Sequence, residues 1–225
     1  MKSKIKISII LNSIIALFVL LASIFMFTGI KFMEATDLVL SSSKLEMFKY
    51  FTVDSNLLMG IVSIIFIFYN YLLLKKRIDS IPTFIYILKL SATVGVVLTF
   101  LTTTIYLAPF SEFDFLEFYK NSNLFFHLLV PILSFITFVF FEKTNKIKLK
   151  QTFYGLIPML IYAIFYITNV IMHFENGKIS HTYDWYGFAN NGKSSIIIVF
   201  LLMILITYGI SYTLWYLNSK KMYKE

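Results

Sequence analysis

Residues 195–217 read SIIIVFLLMILITYGISYTLWYL, a stretch of 23 residues without a charged side chain. An α-helix needs roughly 20 apolar residues to cross a bilayer, and in lipid the backbone must satisfy its own hydrogen bonds. The stretch is therefore predicted to be a transmembrane helix. Five similar stretches precede it, at Ile7–Ile30, Phe51–Leu74, Phe84–Pro109, Leu124–Phe141 and Phe153–His173.

The composition of the whole chain supports the same fold class. Of its 225 residues 58% are hydrophobic and only 14% are charged, whereas soluble domains carry roughly 25% charged residues. We predict an all-α, polytopic membrane protein in which residues 1–225 form a single six-helix domain. Lys2, Lys4 and Lys6 resemble the basic start of a signal peptide, but the apolar stretch that follows is too long for one, so a retained helix is expected.

The basic residues predict the orientation in the membrane. With the N-terminus inside, cytoplasmic segments hold 13 of the 20 lysines and arginines and outer segments hold six. The positive-inside rule therefore places both termini in the cytoplasm of a multi-pass protein of the cell membrane. The remaining residue, Lys89, lies near the inner end of the third helix and is expected to extend its ammonium group toward the cytoplasm.

The same topology accounts for the net charge of +8, so no nucleic-acid partner is predicted. The expected partners are membrane lipids or a lipid-like substrate, and the oligomeric state is left open. The chain has no cysteine, which excludes disulfides, thiolate metal sites and a cysteine nucleophile. Neither a metal nor a cofactor is predicted.

Ionisable residues inside membrane helices are candidates for a functional site. Asp54, His127 and His173 are such candidates, and the sequence places all three toward the outer side. Thr52 precedes Asp54 in the first turn of the second helix and carries a hydroxyl, for which histidine is the usual base. A plain helix N-cap remains an alternative for this turn.

Other polar residues share helix faces with these candidates. On the fourth helix Pro131 is expected to kink the chain one turn after His127 and to free a carbonyl there. Tyrosines on the fifth helix and the aromatic loop before the last helix also fit packing or an interfacial role. The candidates for substrate binding or support are Asp54, Ser55, Asn56, Asn123, Tyr162, Asn169, His173 and Trp185.

Four motifs occur in an order that resembles one membrane-protein family. FTVDSNLL at 51–58 resembles the F-T-x-x-S-N-L-L signature on the second helix of the androgen-induced-gene family and its bacterial relatives. HLLVP at 127–131 resembles its H-x-x-x-P motif, PMLIY at 158–162 its P-x-x-x-Y motif, and WYGF at 185–188 its aromatic loop. The order and the six-helix layout extend over nearly the whole chain.

The resemblance implies an activity. Animal members of that family are intramembrane hydrolases of lipid esters, notably fatty acid esters of hydroxy fatty acids, and they use a threonine nucleophile and a histidine. The matching residues here are Thr52 and His127. Two positions depart from the family pattern: Gly187 replaces a frequent proline, and Asp54 replaces the neutral amide that is frequent in bacterial relatives.

Two other functions are compatible with the residues. The first is a non-enzymatic small-molecule or lipid-binding membrane protein or transporter subunit. A coupled transporter usually carries intramembrane charge pairs, and the sequence pattern predicts none. The second is a bis-histidine haem site formed by His127 and His173.

Overall fold

The computed structural model describes residues 2–35, 42–174, 179–180, 182–189 and 192–220. All regular elements within these ranges are helices, and six of them are long and apolar enough to cross a membrane. The predicted fold class is thereby confirmed, and the chain is a multi-pass membrane protein. The six helices are α1 (Lys2–Thr28), α2 (Phe51–Leu74), α3 (Thr83–Leu107), α4 (Ser122–Phe141), α5 (Leu149–Met172) and α6 (Lys193–Lys220).

Helix α3 is the most buried of the six and packs against α2, α4, α5 and α6. The other helices expose large apolar side chains on the outside of the bundle, as lipid contact requires. Close packing depends on a glycine where α5 meets α6. A Cβ atom at Gly155 would lie 2.8 Å from the Cβ atom of Ser211, so a larger residue cannot fit without a shift.

Two of the helices contain turns that are wider than an α-helix. The last part of α3 is π-helical over Thr102–Leu107, and α4 is π-helical over Phe125–Leu129 and Thr137–Phe141. Pro131 follows the first wide turn of α4, and its missing N–H removes the usual partner of the carbonyl four residues earlier. The predicted disturbance beside His127 is therefore present, as a wide turn rather than a break.

The bundle contains a buried ion pair at the end where α3 and α5 begin. The charge asymmetry predicts that this is the inner end. Lys89 is 0% exposed, and its Nζ atom lies 2.5 Å from Oδ1 of Asn12 and 3.8 Å from Oε2 of Glu142. The other carboxylate oxygen of Glu142 accepts hydrogen bonds from Ser8 Oγ at 3.0 Å and from Asn12 Nδ2 at 2.5 Å. Asn70 donates to Ser8 Oγ at 3.0 Å.

This ion pair corrects two expectations. Lys89 does not extend toward the cytoplasm, and the chain does carry a charge pair between its membrane helices. The physical reason is that Glu142 directly follows α4 and turns inward, where it compensates the ammonium group. Asn218 Nδ2, on α6, donates to the backbone carbonyl of Glu142 at 3.0 Å and so links α6 to the same cluster. The cluster thus joins α1, α2, α3, α4 and α6.

Candidate functional site

Thr52 lies in the first turn of α2, at the end of the bundle opposite the Lys89–Glu142 ion pair. The predicted topology makes this the outer end. The backbone N–H of Phe51 donates to the Tyr186 hydroxyl at 3.0 Å, so a loop residue caps the helix instead of a local side chain. The Thr52 carbonyl accepts from Asn56 Nδ2 at 2.8 Å and from Ser55 Oγ at 3.2 Å. These bonds fix the turn that carries the threonine.

Thr52 lines a cavity of about 90 Å³, called the first cavity below. Its walls come from α2, α3, α5, α6 and the loop before α6, and they are almost entirely apolar. The lining residues that carry hydroxyl groups are Thr52, Thr99, Thr102, Thr103, Tyr162, Tyr166 and Tyr186. An apolar cavity with a few polar groups at one end is the usual form of a site for an apolar ligand.

His127 lies in the wide turn of α4 and is completely buried. Its Nδ1 atom is 2.7 Å from the carbonyl oxygen of Phe118, and its Nε2 atom has no hydrogen-bond partner among the described residues. Because a carbonyl oxygen only accepts, Nδ1 must carry the hydrogen, and in the neutral ring Nε2 then holds a lone pair. This is the form of histidine that a general base requires.

Asn56 connects the two helices that carry Thr52 and His127. Its Nδ2 atom donates to the carbonyl of Thr52 and, at 3.2 Å, to the carbonyl of Phe126. Both hydrogens of the amide are therefore used, and the first turns of α2 and α4 are held side by side. His127 itself is absent from the lining of the first cavity, as far as the described residues show.

The described loop segment before α6, residues 182–189, packs on α5 and is called the aromatic loop below. Asp184 is only 1% exposed and accepts hydrogen bonds from the Tyr166 hydroxyl and from the backbone N–H groups of Phe188, at 3.0 Å, and Ala189, at 2.8 Å. Trp185 Nε1 donates to the Tyr162 hydroxyl at 3.0 Å. The buried Asp184 carboxylate thus holds the aromatic loop in place through these hydrogen bonds.

Burial raises the pKa of the Tyr186 hydroxyl well above its ordinary value, and neighbouring Tyr162 acts in the same direction. Tyr186 therefore remains protonated while it caps α2 and lines the first cavity. Asp184 and Tyr186 were not among the sequence-predicted site residues. The sequence signal that they offered, an acid and tyrosines in a long outer loop, is also typical of an interfacial segment.

The remaining candidates separate into three places. Asp54, Ser55 and Asn169 line a second cavity, between α2 and α5, and Ser55 also contacts Thr99 on α3 with 3.2 Å between the hydroxyl oxygens. Asn123 is buried in the first turn of α4. His173 stacks on Tyr183 with ring centroids 3.7 Å apart, and neither cavity includes it among its described lining residues. His181, which directly precedes the aromatic loop, lies outside the described residues.

The described residues contain no cluster of three or more histidine and acidic side chains that could hold a metal ion. Comparison with known proteins gives one family match. A model described as "Protein of unknown function (DUF1600)" matches residues 120–225, the part that holds α4, α5, the aromatic loop and α6. No curated protein and no solved structure matches the chain. The matched part begins at residue 120, so it includes His127 but not Thr52. The family model does not name the androgen-induced-gene family, and the resemblance to that family stays a prediction.

Proposed function

We propose that the chain is an intramembrane hydrolase of lipid esters, with Thr52 as nucleophile and His127 as base, acting at the outer side of the cell membrane. The observation that carries this proposal is the state of His127. Its Nδ1–H is held by the Phe118 carbonyl while Nε2, completely buried, has no partner in the described part of the chain. Buried polar atoms without partners are uncommon and call for an explanation.

The chemistry needs a proton acceptor near a hydroxyl nucleophile. Thr52 Oγ1 attacks the ester carbonyl and its proton passes to His127 Nε2. The tetrahedral intermediate then expels the alcohol, which takes that proton, and leaves the acyl group on Thr52. Water, deprotonated by the same histidine, releases the fatty acid and restores the threonine. The acyl chain would occupy the first cavity, whose walls are apolar.

Asn56 and Ser55 have a supporting part in this proposal. Both side chains donate to the Thr52 carbonyl, and Asn56 also donates to the carbonyl of Phe126. They therefore hold the nucleophile's turn against α4 rather than offering free donors to the developing oxyanion. Positioning of this kind matters, because a displacement of about 1 Å can lower a rate roughly 100-fold.

Hydrolysis by the purified protein tests the proposal. A fluorogenic long-chain ester is offered to the wild-type chain and to Thr52→Ala, with Thr102→Ala as the matched control, since Thr102 lines the same cavity. We expect Thr52→Ala to lose at least 100-fold in turnover and Thr102→Ala to stay within a few fold of the wild type. Equal turnover in all three proteins would refute the proposed nucleophile.

A second function is favoured by one observation. The buried Lys89–Glu142 pair is the kind of intramembrane charge pair that coupled transporters use. A lipid-binding protein or transporter subunit would hold its ligand in the same cavities without Thr52-dependent hydrolysis. In that case ligand would bind to the wild type and to Thr52→Ala alike, and neither would release fatty acid.

A further inference from the structure

A second cavity of about 480 Å³ lies between α2 and α5, separated from the first by Phe51, Tyr162 and Tyr166, which contribute to both. Its rim faces the outside of the bundle, where Phe165 is 72% exposed and Ile161 is 53% exposed. An occupant can therefore enter sideways from the membrane. The proposed hydrolysis does not require this cavity.

Asp54 gives the second cavity its charge. Its carboxylate lines the cavity and forms no hydrogen bond and no ion pair with any described residue. It does not cap α2, whose first N–H is bound by Tyr186 instead. A half-buried carboxylate beside apolar walls, without a partner, is unfavourable unless a ligand supplies the opposite charge.

The other charged residue on the lining does not serve as that partner. The Lys49 ammonium lies 5.2 Å from the ring centroid of Tyr50, a residue outside the cavity lining. The backbone carbonyl of Lys49 accepts a hydrogen bond from the Tyr162 hydroxyl at 2.5 Å. The lysine is thus engaged elsewhere. The carboxylate of Asp54 remains available to a cation in the cavity.

The walls indicate which cation fits. Six aromatic residues line the cavity, namely Phe48, Phe51, Tyr162, Phe165, Tyr166 and Trp185. Aromatic walls of this kind are typical of sites for quaternary ammonium groups, which gain cation–π attraction and have no N–H to satisfy. A primary ammonium would need three acceptors. Besides Asp54, the side-chain oxygens on the lining are those of Asn169, Ser55, Tyr162 and Tyr166, and the last three already form hydrogen bonds within the protein.

From this arrangement we infer that the second cavity binds the head of a membrane amphiphile that carries a quaternary ammonium group. Asp54 compensates the charge, the aromatic residues surround the methyl groups, and the alkyl chain leaves across Ile161 and Phe165 into the lipid. The head belongs either to a simple alkylammonium compound or to a phosphocholine lipid, whose phosphate would lie toward Lys49.

Binding of short-chain probes tests the inference on the Thr52→Ala protein, so that the outcome is independent of hydrolysis. Hexyltrimethylammonium is the cationic probe and hexyl glucoside is the neutral one. We expect Asp54→Asn to weaken hexyltrimethylammonium binding about tenfold or more, because the ion pair and its field are lost. Binding of hexyl glucoside should not change. Asp114→Asn, an exposed acid outside the cavity, is the matched control.

A second variant changes the affinity in the opposite direction. Lys49→Gln removes a positive charge from the lining and should tighten hexyltrimethylammonium binding. If the natural head is phosphocholine, hexylphosphocholine binds more tightly than hexyltrimethylammonium, and Lys49→Gln abolishes this difference in affinity. If the natural head is a simple alkylammonium group, hexylphosphocholine does not bind more tightly than hexyltrimethylammonium. The inference is overturned if Asp54→Asn and Lys49→Gln both bind hexyltrimethylammonium as their parent does, or if hexyl glucoside shows the same dependence on Asp54.

Discussion

The Nδ1 atom of His127 lies 2.7 Å from the carbonyl oxygen of Phe118, a residue of the segment between α3 and α4. This contact sets the orientation of the ring, because the carbonyl only accepts and so holds the hydrogen on Nδ1. The proton-accepting atom Nε2 is thereby turned into the interior of the bundle. The segment before α4 thus sets which nitrogen of His127 carries the hydrogen and which one can accept a proton.

His127→Ala is expected to lower ester hydrolysis by about 100-fold to 10,000-fold, the usual contribution of a general base. The measurement is the turnover of a fluorogenic ester by the purified protein. His173→Ala is the matched control, because His173 bonds to the Asn169 carbonyl and stacks on Tyr183. Hydrolysis that survives His127→Ala, or falls equally in both variants, would remove His127 from the mechanism.

The Lys89–Glu142 pair predicts a pattern of stability changes. Lys89→Met or Glu142→Gln alone leaves the other charge buried without its partner and should cost about 3–5 kcal/mol. The double variant Lys89→Met/Glu142→Gln removes both charges and should be clearly more stable than either single variant. Thermal unfolding in detergent measures this difference. Additive losses in the double variant would mean that the two groups do not compensate each other.

The contact of α5 with α6 predicts a steric effect. Gly155→Ala places a methyl group against Ser211, 2.8 Å from its Cβ atom, and should destabilise the protein by about 1–3 kcal/mol. Gly209→Ala is the control, because no heavy atom lies within 4 Å of an added Cβ there. Unfolding temperatures in one detergent provide the comparison, and equal values for the two variants would contradict the packing described here.

The predicted orientation is accessible to cysteine labelling, since the chain has no cysteine of its own. Ser43→Cys precedes α2 and Asn145→Cys lies between α4 and α5, so they are at opposite ends of the bundle, and both positions are exposed. Following the positive-inside rule, an impermeant thiol reagent should modify Ser43→Cys in intact cells and Asn145→Cys only after lysis. The reverse result would invert the topology.

The long apolar stretches made the fold predictable, because a bilayer permits few other structures for them. The separation of Thr52 from Asp54 also follows from helical geometry, which sets them roughly 200° apart on α2. In the structure the two residues line different cavities. A disturbance of the helix beside His127 was predictable from Pro131, because proline lacks the N–H that would bond to the carbonyl four residues earlier, whatever the helix packs against.

The contacts between distant residues were not predictable from local patterns. Glu142 reads as part of a basic inner loop, and only the folded chain shows that it turns inward to Lys89. Asp184 likewise reads as a polar loop residue, although it is buried and binds Tyr166. In both cases the favourable interaction depends on a partner on another helix, and one sequence carries no signal for that pairing.

The most direct test of the proposed hydrolase is the site of covalent modification by a long-chain fluorophosphonate, followed by mass spectrometry of the peptides. Such probes react with hydroxyl groups that a neighbouring base activates. The account predicts a single adduct on Thr52 that disappears in Thr52→Ala, persists in Thr52→Ser and is strongly reduced in His127→Ala. An adduct on another residue, or a Thr52 that remains unmodified while the protein hydrolyses esters, would contradict it.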